Sequence, residues 1–155
     1  MTASRQDLVD ELGLAMQRYQ RSVQVFDDAV GRRLGLNPTD LRCLDWLADG
    51  PKTAGELSDA TGLRPAATTT LVDRLSRRGL VRRRPSESDR RKVLVEMTEQ
   101  GFALTWECYG PLVAEGQQLF ADLGAADLIA LRTLLDAMRD LTDRHRSRVR
   151  ADSDG

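Results

Sequence analysis

Eight apolar residues, Leu8, Leu12, Ala15, Tyr19, Val23, Phe26, Val30 and Leu34, follow one another at steps of 4, 3, 4, 4, 3, 4 and 4. Only an α-helix puts such a series on one face. Residues 4–34 are therefore read as a single helix, about 45 Å long at 1.5 Å per residue. A helix of that length overreaches the core of a small domain. Its apolar stripe needs a partner, from elsewhere in this chain or from a second copy.

Shorter elements follow. Asn37-Pro38-Thr39-Asp40 opens a second helix with a capping side chain, a proline suited to the first helical position and an acid at the positive end. Leu41, Leu44 and Ala48 lie on one side of it, and Cys43, Trp46 and Leu47 on the other, so it is expected between two layers. Thr53 and Glu56 form a capping box for a short helix, with Leu57 and Ala60 inward, that stops at Thr61-Gly62. Pro65 starts another helix, to about residue 78. Its Ala67, Leu71, Val72 and Leu75 gather on one side. Ala66, Thr69, Thr70, Asp73 and Arg77 gather on the other, with Arg74 at the border.

Residues 80–84 and 93–97 read as two strands around the polar turn Pro85-Ser86-Glu87-Ser88-Asp89, with Val93, Val95 and Met97 alternating inward. Two more helices are expected, at about 98–121 and 125–146, with a fraying tail from Arg148. The fold class is mainly α with a small β-hairpin wing: a winged helix-turn-helix at 38–98. Long helical segments at 4–36 and 99–147 flank it, in a single domain spanning 1–155.

Charge is segregated along this plan. Residues 64–92 hold ten Lys or Arg against three acids, a surplus of seven, in a chain whose net charge is −1. A basic block in an otherwise acidic protein is an electrostatic footprint for a polyanion. The helix starting at Pro65 fits the DNA major groove. Small Ala66 lets the backbone approach base edges, and Thr69 and Thr70 offer hydroxyls and methyls. Arg74 and Arg77 reach phosphates or guanine. Arg90 and Arg91 on the hairpin reach the neighbouring minor groove. Arg82, Arg83, Arg84 and Lys92 suit phosphates. Taken alone, Thr68-Thr69-Thr70 reads equally as an ordinary polar face, and Asp89 with Arg91 as a surface ion pair of little worth. The order helix, turn, helix, basic hairpin favours DNA.

The hairpin run Asp89-Arg90-Arg91-Lys92-Val93-Leu94-Val95-Glu96-Met97-Thr98-Glu99-Gln100-Gly101 resembles the wing of the MarR (multiple-antibiotic-resistance regulator) family. The pattern is D-x-R, three residues, aliphatic, x, Leu, Thr, two residues, Gly, with Met97 in place of the usual Leu. Leu71-Val72-Asp73-Arg74-Leu75 followed by Arg78-Gly79-Leu80-Val81 is similar to that family's recognition helix running into the wing. The resemblance implies a homodimer whose terminal helices intertwine, a pseudo-palindromic operator in double-stranded DNA, and repression as the family tendency. It implies that Arg91 enters the minor groove with Asp89 orienting it. It also implies that the recognition-helix positions from Pro65 to Thr70, with Ala66, Thr68 and Thr69 among them, face bases, that Arg74 supports the DNA or the wing contact, and that Arg64, Asp73, Arg77, Arg90 and Lys92 lie around them.

The resemblance further implies release by a small aromatic or phenolic effector bound between the dimer helices and the DNA-binding lobe. Tyr19, Phe26, Cys43, Trp46 and Trp106 are the candidates for such a site, although aromatics at helical spacing are more often core. Cys43 sits mid-helix rather than at a helix start or in a Cys pair, so a reactive thiolate is not indicated.

Other classes find less support. The two cysteines, Cys43 and Cys108, and the lone His145 form no metal constellation. No nucleophile–base pair or phosphate loop suggests an enzyme, and no cofactor is expected. Neither a signal peptide nor a membrane span is legible, so a soluble cytoplasmic protein is expected. Metal-sensing winged-helix repressors carry Cys or His clusters that are absent here. The main competing reading is a helical protein–protein adaptor with an incidental basic patch; Asp89-x-Arg91 on a hairpin disfavours it.

Overall fold

A computed structural model describes residues 4–89 and 91–153. The element order is α1 (Arg5–Leu34), α2 (Pro38–Ala48), β1 (Lys52–Thr53), α3 (Ala54–Thr61), α4 (Pro65–Arg77), β2 (Val81–Pro85), β3 (Val93–Met97), α5 (Glu99–Gln118) and α6 (Ala125–Ser153). No described helix is long and apolar enough to cross a membrane.

Three helices begin with reciprocal caps. In α1 the Ser4 hydroxyl accepts from the Asp7 amide, and the Asp7 carboxylate from the Ser4 amide. Asn37 and Asp40 do the same for α2 at 2.8 and 3.3 Å, and Thr53 with Glu56 for α3 at 3.2 and 2.7 Å. Each satisfies two otherwise orphaned amides, which stabilises a helix start by about 1 kcal/mol.

The hairpin is joined by a third strand. The antiparallel sheet runs β1-β3-β2, with Val95 opposite both Lys52 and Arg83. A two-residue strand shows no alternation, so β1 is invisible in the sequence pattern. Val81, Val95 and Met97 turn into the core, as their alternation requires. Val93 does not: paired with Pro85 near the tip, it lies beyond the helices and is exposed.

One core collects Leu41, Cys43, Leu44 and Leu47 of α2, Leu57 of α3, Leu71, Val72 and Leu75 of α4, and the inward sheet residues. Each fully buried Leu contributes about 1.5–3 kcal/mol. The two-sided expectation for α2 is met by Leu44 and Cys43, while Trp46 and Ala48 remain exposed. Gly101 explains the final glycine of the wing motif. A Cβ there would stand 2.3 Å from the Leu80 carbonyl oxygen and 2.8 Å from Met97 Cγ. Only glycine lets α5 begin this close to the sheet.

The chain divides into two compact units, Met1–Tyr109 and Gly110–Gly155. The division falls beside Pro111, inside α5, which has no amide for the helical hydrogen bond. The second unit holds the rest of α5 and α6. Helix α6 continues to Ser153, so the expected fraying from Arg148 is corrected. Much of the apolar stripe of α1 is uncovered: Leu8, Leu12 and Tyr19 are exposed, while Val30 is buried. Leu128, Leu134, Leu135 and Leu141 of α6 are exposed too.

Candidate nucleic-acid interface

Helices α3 and α4 meet through a tight turn. Gly62 takes φ 72°, a left-handed conformation that glycine adopts without strain. The Ser58 hydroxyl donates to the Leu63 carbonyl at 2.5 Å, and the Thr61 hydroxyl to that of Leu57 at 2.7 Å. Leu57 packs from α3 against the inner side of α4, formed by Thr68, Leu71, Val72 and Leu75. The outer side carries Ala66, Ala67, Thr69, Thr70, Asp73 and Arg77, all exposed, with Arg64 and Pro65 exposed at its start.

Two expectations change here. Thr68, grouped with the base-facing positions, is completely buried. It lies three and four residues from Leu71 and Val72 and so shares their face. Its hydroxyl donates to the Arg64 carbonyl at 3.2 Å. Ala67, expected inward, is exposed. Thr69 and Thr70 also donate to carbonyls four residues back, each at 3.1 Å. Their hydrogens are thus committed to the helix, and each presents a methyl and oxygen lone pairs outward.

The basic block is less free than its count suggests. Arg74 turns toward α2 and ion-pairs with the buried carboxylate of Asp40. Arg78 donates to the carbonyls of Leu34 and Gly35, both at 2.7 Å, and so satisfies the C-terminal end of α1. Arg83 pairs with Asp73 at 2.7 Å and ties the wing to α4. Arg82 and Arg84 share Glu96 at 2.6 and 2.7 Å across β2 and β3. Hydrogen bonds from Arg84 and then Arg82 hold the Glu96 carboxyl below its ordinary range. Asp40 and Glu96, which organise these contacts, escaped the sequence reading as functional residues. Asp40 was legible there only as a helix-start acid.

Arg64, Arg77, Arg91 and Lys92 are exposed and make no ion pair with any described residue. Arg90 lies outside the described residues. The wing tip is closed by Ser86 N–H to the Lys92 carbonyl and Lys92 N–H to the Asp89 carbonyl, both 2.9 Å. Asp89 accepts from the Arg91 backbone amide at 3.0 Å. The aspartate thus grips the backbone of Arg91 and leaves its guanidinium outward, rather than forming the surface ion pair considered from the sequence.

A second feature is a cleft of about 880 Å³ between α1 and α2. Its lining includes Asp27, Gly31, Leu36, Leu41, Asp45 and Tyr109. Tyr109 donates to Asp27 at 2.7 Å, and its ring meets Phe26 edge-on with centroids 5.5 Å apart. Burial, then the hydrogen bond to Asp27, push its phenol above the ordinary value. None of the five residues chosen from the sequence lines this cleft. Phe26 lies behind it, against Tyr109. Cys43 is fully buried, and burial followed by the charge of Asp40 raises its thiol to about 12. Tyr19, Trp46 and Trp106 are exposed. Tyr109 occupies one apolar position in the helical spacing of α5, a pattern that carries no signal for a cleft.

Comparison with known proteins agrees with this geometry. The profile of the MarR family matches residues 34–92. The uncharacterised HTH-type transcriptional regulator YcgE of Bacillus subtilis is 47% identical over 72 residues, which cover 46% of this chain and 47%, about half, of that protein. The HTH-type transcriptional repressor NicR of Pseudomonas putida is 34% identical over 137 residues, 86% of this chain and 85% of the other. Among solved structures, a MarR family protein from Bacillus stearothermophilus superposes with a TM-score of 0.64 at 22% identity, covering 91% of this chain and 99% of that one. A winged helix-turn-helix, a wing pattern closed by Gly101 and a relative matched over most of both chains lead to one conclusion: this chain belongs to the MarR family of helix-turn-helix transcriptional regulators.

Proposed function

We propose that the protein is a repressor that binds a pseudo-palindromic operator as a homodimer. The observation that carries this reading is the outer side of α4. Small and hydroxyl residues there are flanked by exposed Arg64 and Arg77, and exposed Arg91 and Lys92 stand on the wing. Ala66, Thr69 and Thr70 contact base edges in the major groove, where a threonine methyl packs on thymine and its oxygen accepts from an exocyclic amine. Arg91 enters the adjacent minor groove, held by Asp89. Arg64, Arg77, Lys92 and Arg90 neutralise phosphates.

Dimerisation through residues 4–36 and 99–147 is supported by the uncovered leucines of α1 and α6. Helix faces left apolar and uncovered in this way are association surfaces. Two-fold symmetry then spaces the half-sites about one helical turn apart. The cleft between α1 and α2 receives the effector, a small aromatic or phenolic compound that stacks on Tyr109 and hydrogen-bonds its hydroxyl or Asp27. Release follows if the compound binds the non-DNA conformation more tightly.

The test is footprinting on genomic fragments selected by the purified protein. An inverted repeat protected over roughly two helical turns is expected. Weak, sequence-independent binding would refute operator recognition and leave the adaptor reading standing. For the cleft, a thermal-shift screen of phenols and aromatic acids is compared with a Tyr109→Ala variant. Shifts that persist in the variant would remove the cleft as the site.

A further inference from the structure

Two arginines of the basic block face away from the outer side of α4. Arg74 and Arg78 are one helical turn apart, and both reach the turn that joins α1 to α2. Arg78 holds its beginning through the Leu34 and Gly35 carbonyls. Arg74 holds its end through Oδ1 of Asp40, while the other oxygen of the same carboxylate accepts from the Asn37 amide. One buried carboxylate therefore serves both the start of α2 and the seat of α4. The Nε of Arg74 is buried with no partner among the described residues, which fits a side chain directed inward. From the other side, Gly35, Leu36, Asn37 and Pro38 of this turn line the cleft. The turn is thus a wall shared by the cleft and the DNA-reading helix.

We propose that Arg74 and Arg78 are positioning residues that seat the recognition helix on the α1–α2 turn, and that they serve DNA binding through this grip rather than by touching DNA. The proposal rests on the operator-binding reading given above. Three charge-assisted bonds, one from Arg74 and two from Arg78, fix the rotation and height of α4, on which alignment of Thr69, Thr70 and Arg77 with the groove depends. Asp40 carries negative charge and is buried, so it cannot attract a phosphate. Any contribution it makes to DNA affinity must pass through Arg74 and the cap.

The test measures operator affinity by fluorescence anisotropy across a salt series. The proteins are the full-length wild type, Asp40→Asn, Arg74→Gln, the double variant and Arg78→Gln. The probe is the duplex selected by the wild type, with a scrambled duplex beside it. Thermal unfolding of each variant is recorded first. Arg78→Gln removes a grip on exposed carbonyls without leaving a buried charge, so it stays informative if the Asp40 variants unfold.

Each single variant is expected to lose about tenfold or more in operator affinity, the scale of one charge-assisted hydrogen bond. Binding to the scrambled duplex and the slope of log K against log salt should be unchanged. The double variant should lose no more than the worse single one, because both act through one contact. The proposal is overturned if Asp40→Asn and Arg78→Gln bind as wild type, or if Arg74→Gln flattens the salt slope by about two, the loss of one phosphate contact per protomer. A wild type without a salt slope or operator preference would instead overturn the operator-binding reading itself.

Discussion

The salt dependence of DNA binding can be worked out from the ion pairs. The sequence offers ten basic residues in each lobe between positions 64 and 92. If all of them met phosphates, a dimer would neutralise twenty, and log K would fall with log salt at a slope of about −18. The structure withdraws Arg74, Arg82, Arg83 and Arg84 into ion pairs and Arg78 onto backbone carbonyls. Arg64, Arg77 and Lys92 remain for phosphates and Arg91 for the minor groove, giving eight cations per dimer set against the DNA charge and a slope of about −7, or about −9 if Arg90 joins them. Between 50 and 200 mM salt the affinity should then drop about ten-thousandfold. The assay is anisotropy titration of the footprinted duplex at five or six salt concentrations. Two variants sharpen it. Arg77→Ala should flatten the slope by about two, whereas Arg82→Ala, already committed to Glu96, should leave it nearly unchanged. A wild-type slope near −18, or an equal effect of the two variants, would show that the internal ion pairs do not withhold those arginines from DNA.

Four further outcomes are expected. Arg91→Ala should leave the melting temperature near wild type and cost about 1–3 kcal/mol of operator affinity per half-site; wild-type affinity in a gel-shift titration would remove Arg91 from the interface. Gly101→Ala should destabilise the fold by about 1–3 kcal/mol through overpacking against the Leu80 carbonyl and Met97. Gly55→Ala, whose Cβ meets only Thr53 Oγ1 at 3.9 Å, should be neutral or stabilising by up to about 1 kcal/mol, and urea unfolding that ranks the two the other way would contradict the packing argument. Partial desolvation, then the charges of Asp27 and Asp49, raise the Asp45 carboxyl above 3.8. The native state therefore holds that proton more tightly than the unfolded chain, and wild-type stability falls as pH rises through the raised value. Asp45→Asn should be more stable than wild type at pH 7, with the gap closing below pH 3.8; a gap independent of pH would assign the effect to something other than this ionisation.

Much of the fold was legible because its signals are local. The 3.6-residue period of α1, the capping pairs Thr53 with Glu56 and Asn37 with Pro38, and the glycines at 62 and 79 each act within a few residues. The boundaries they imply lie within a residue or two of those observed. Strand β1 was missed because two residues carry no period. Pro111 was overlooked because the apolar spacing of α5 continues through it. For the candidate interface, the outer side of α4 and the exposed Arg91 followed from helical geometry and the wing pattern. The inward turn of Thr68 did not, since a run of three threonines looks uniform until neighbouring elements decide which of them is covered.

By itself the sequence determined the helices, the turn between α3 and α4, the wing and the concentration of positive charge. Each of these is written in residues near one another in the chain. Only the tertiary structure decided which charges are available. The partners of Arg74, Arg78 and Arg83, and the Glu96 partner of Arg84, lie between 10 and 44 positions away in sequence. It likewise decided that the cleft is lined by Asp27, Asp45 and Tyr109 rather than by the tryptophans. Ion pairing and cavity lining depend on distances across space, which no periodicity along the chain encodes.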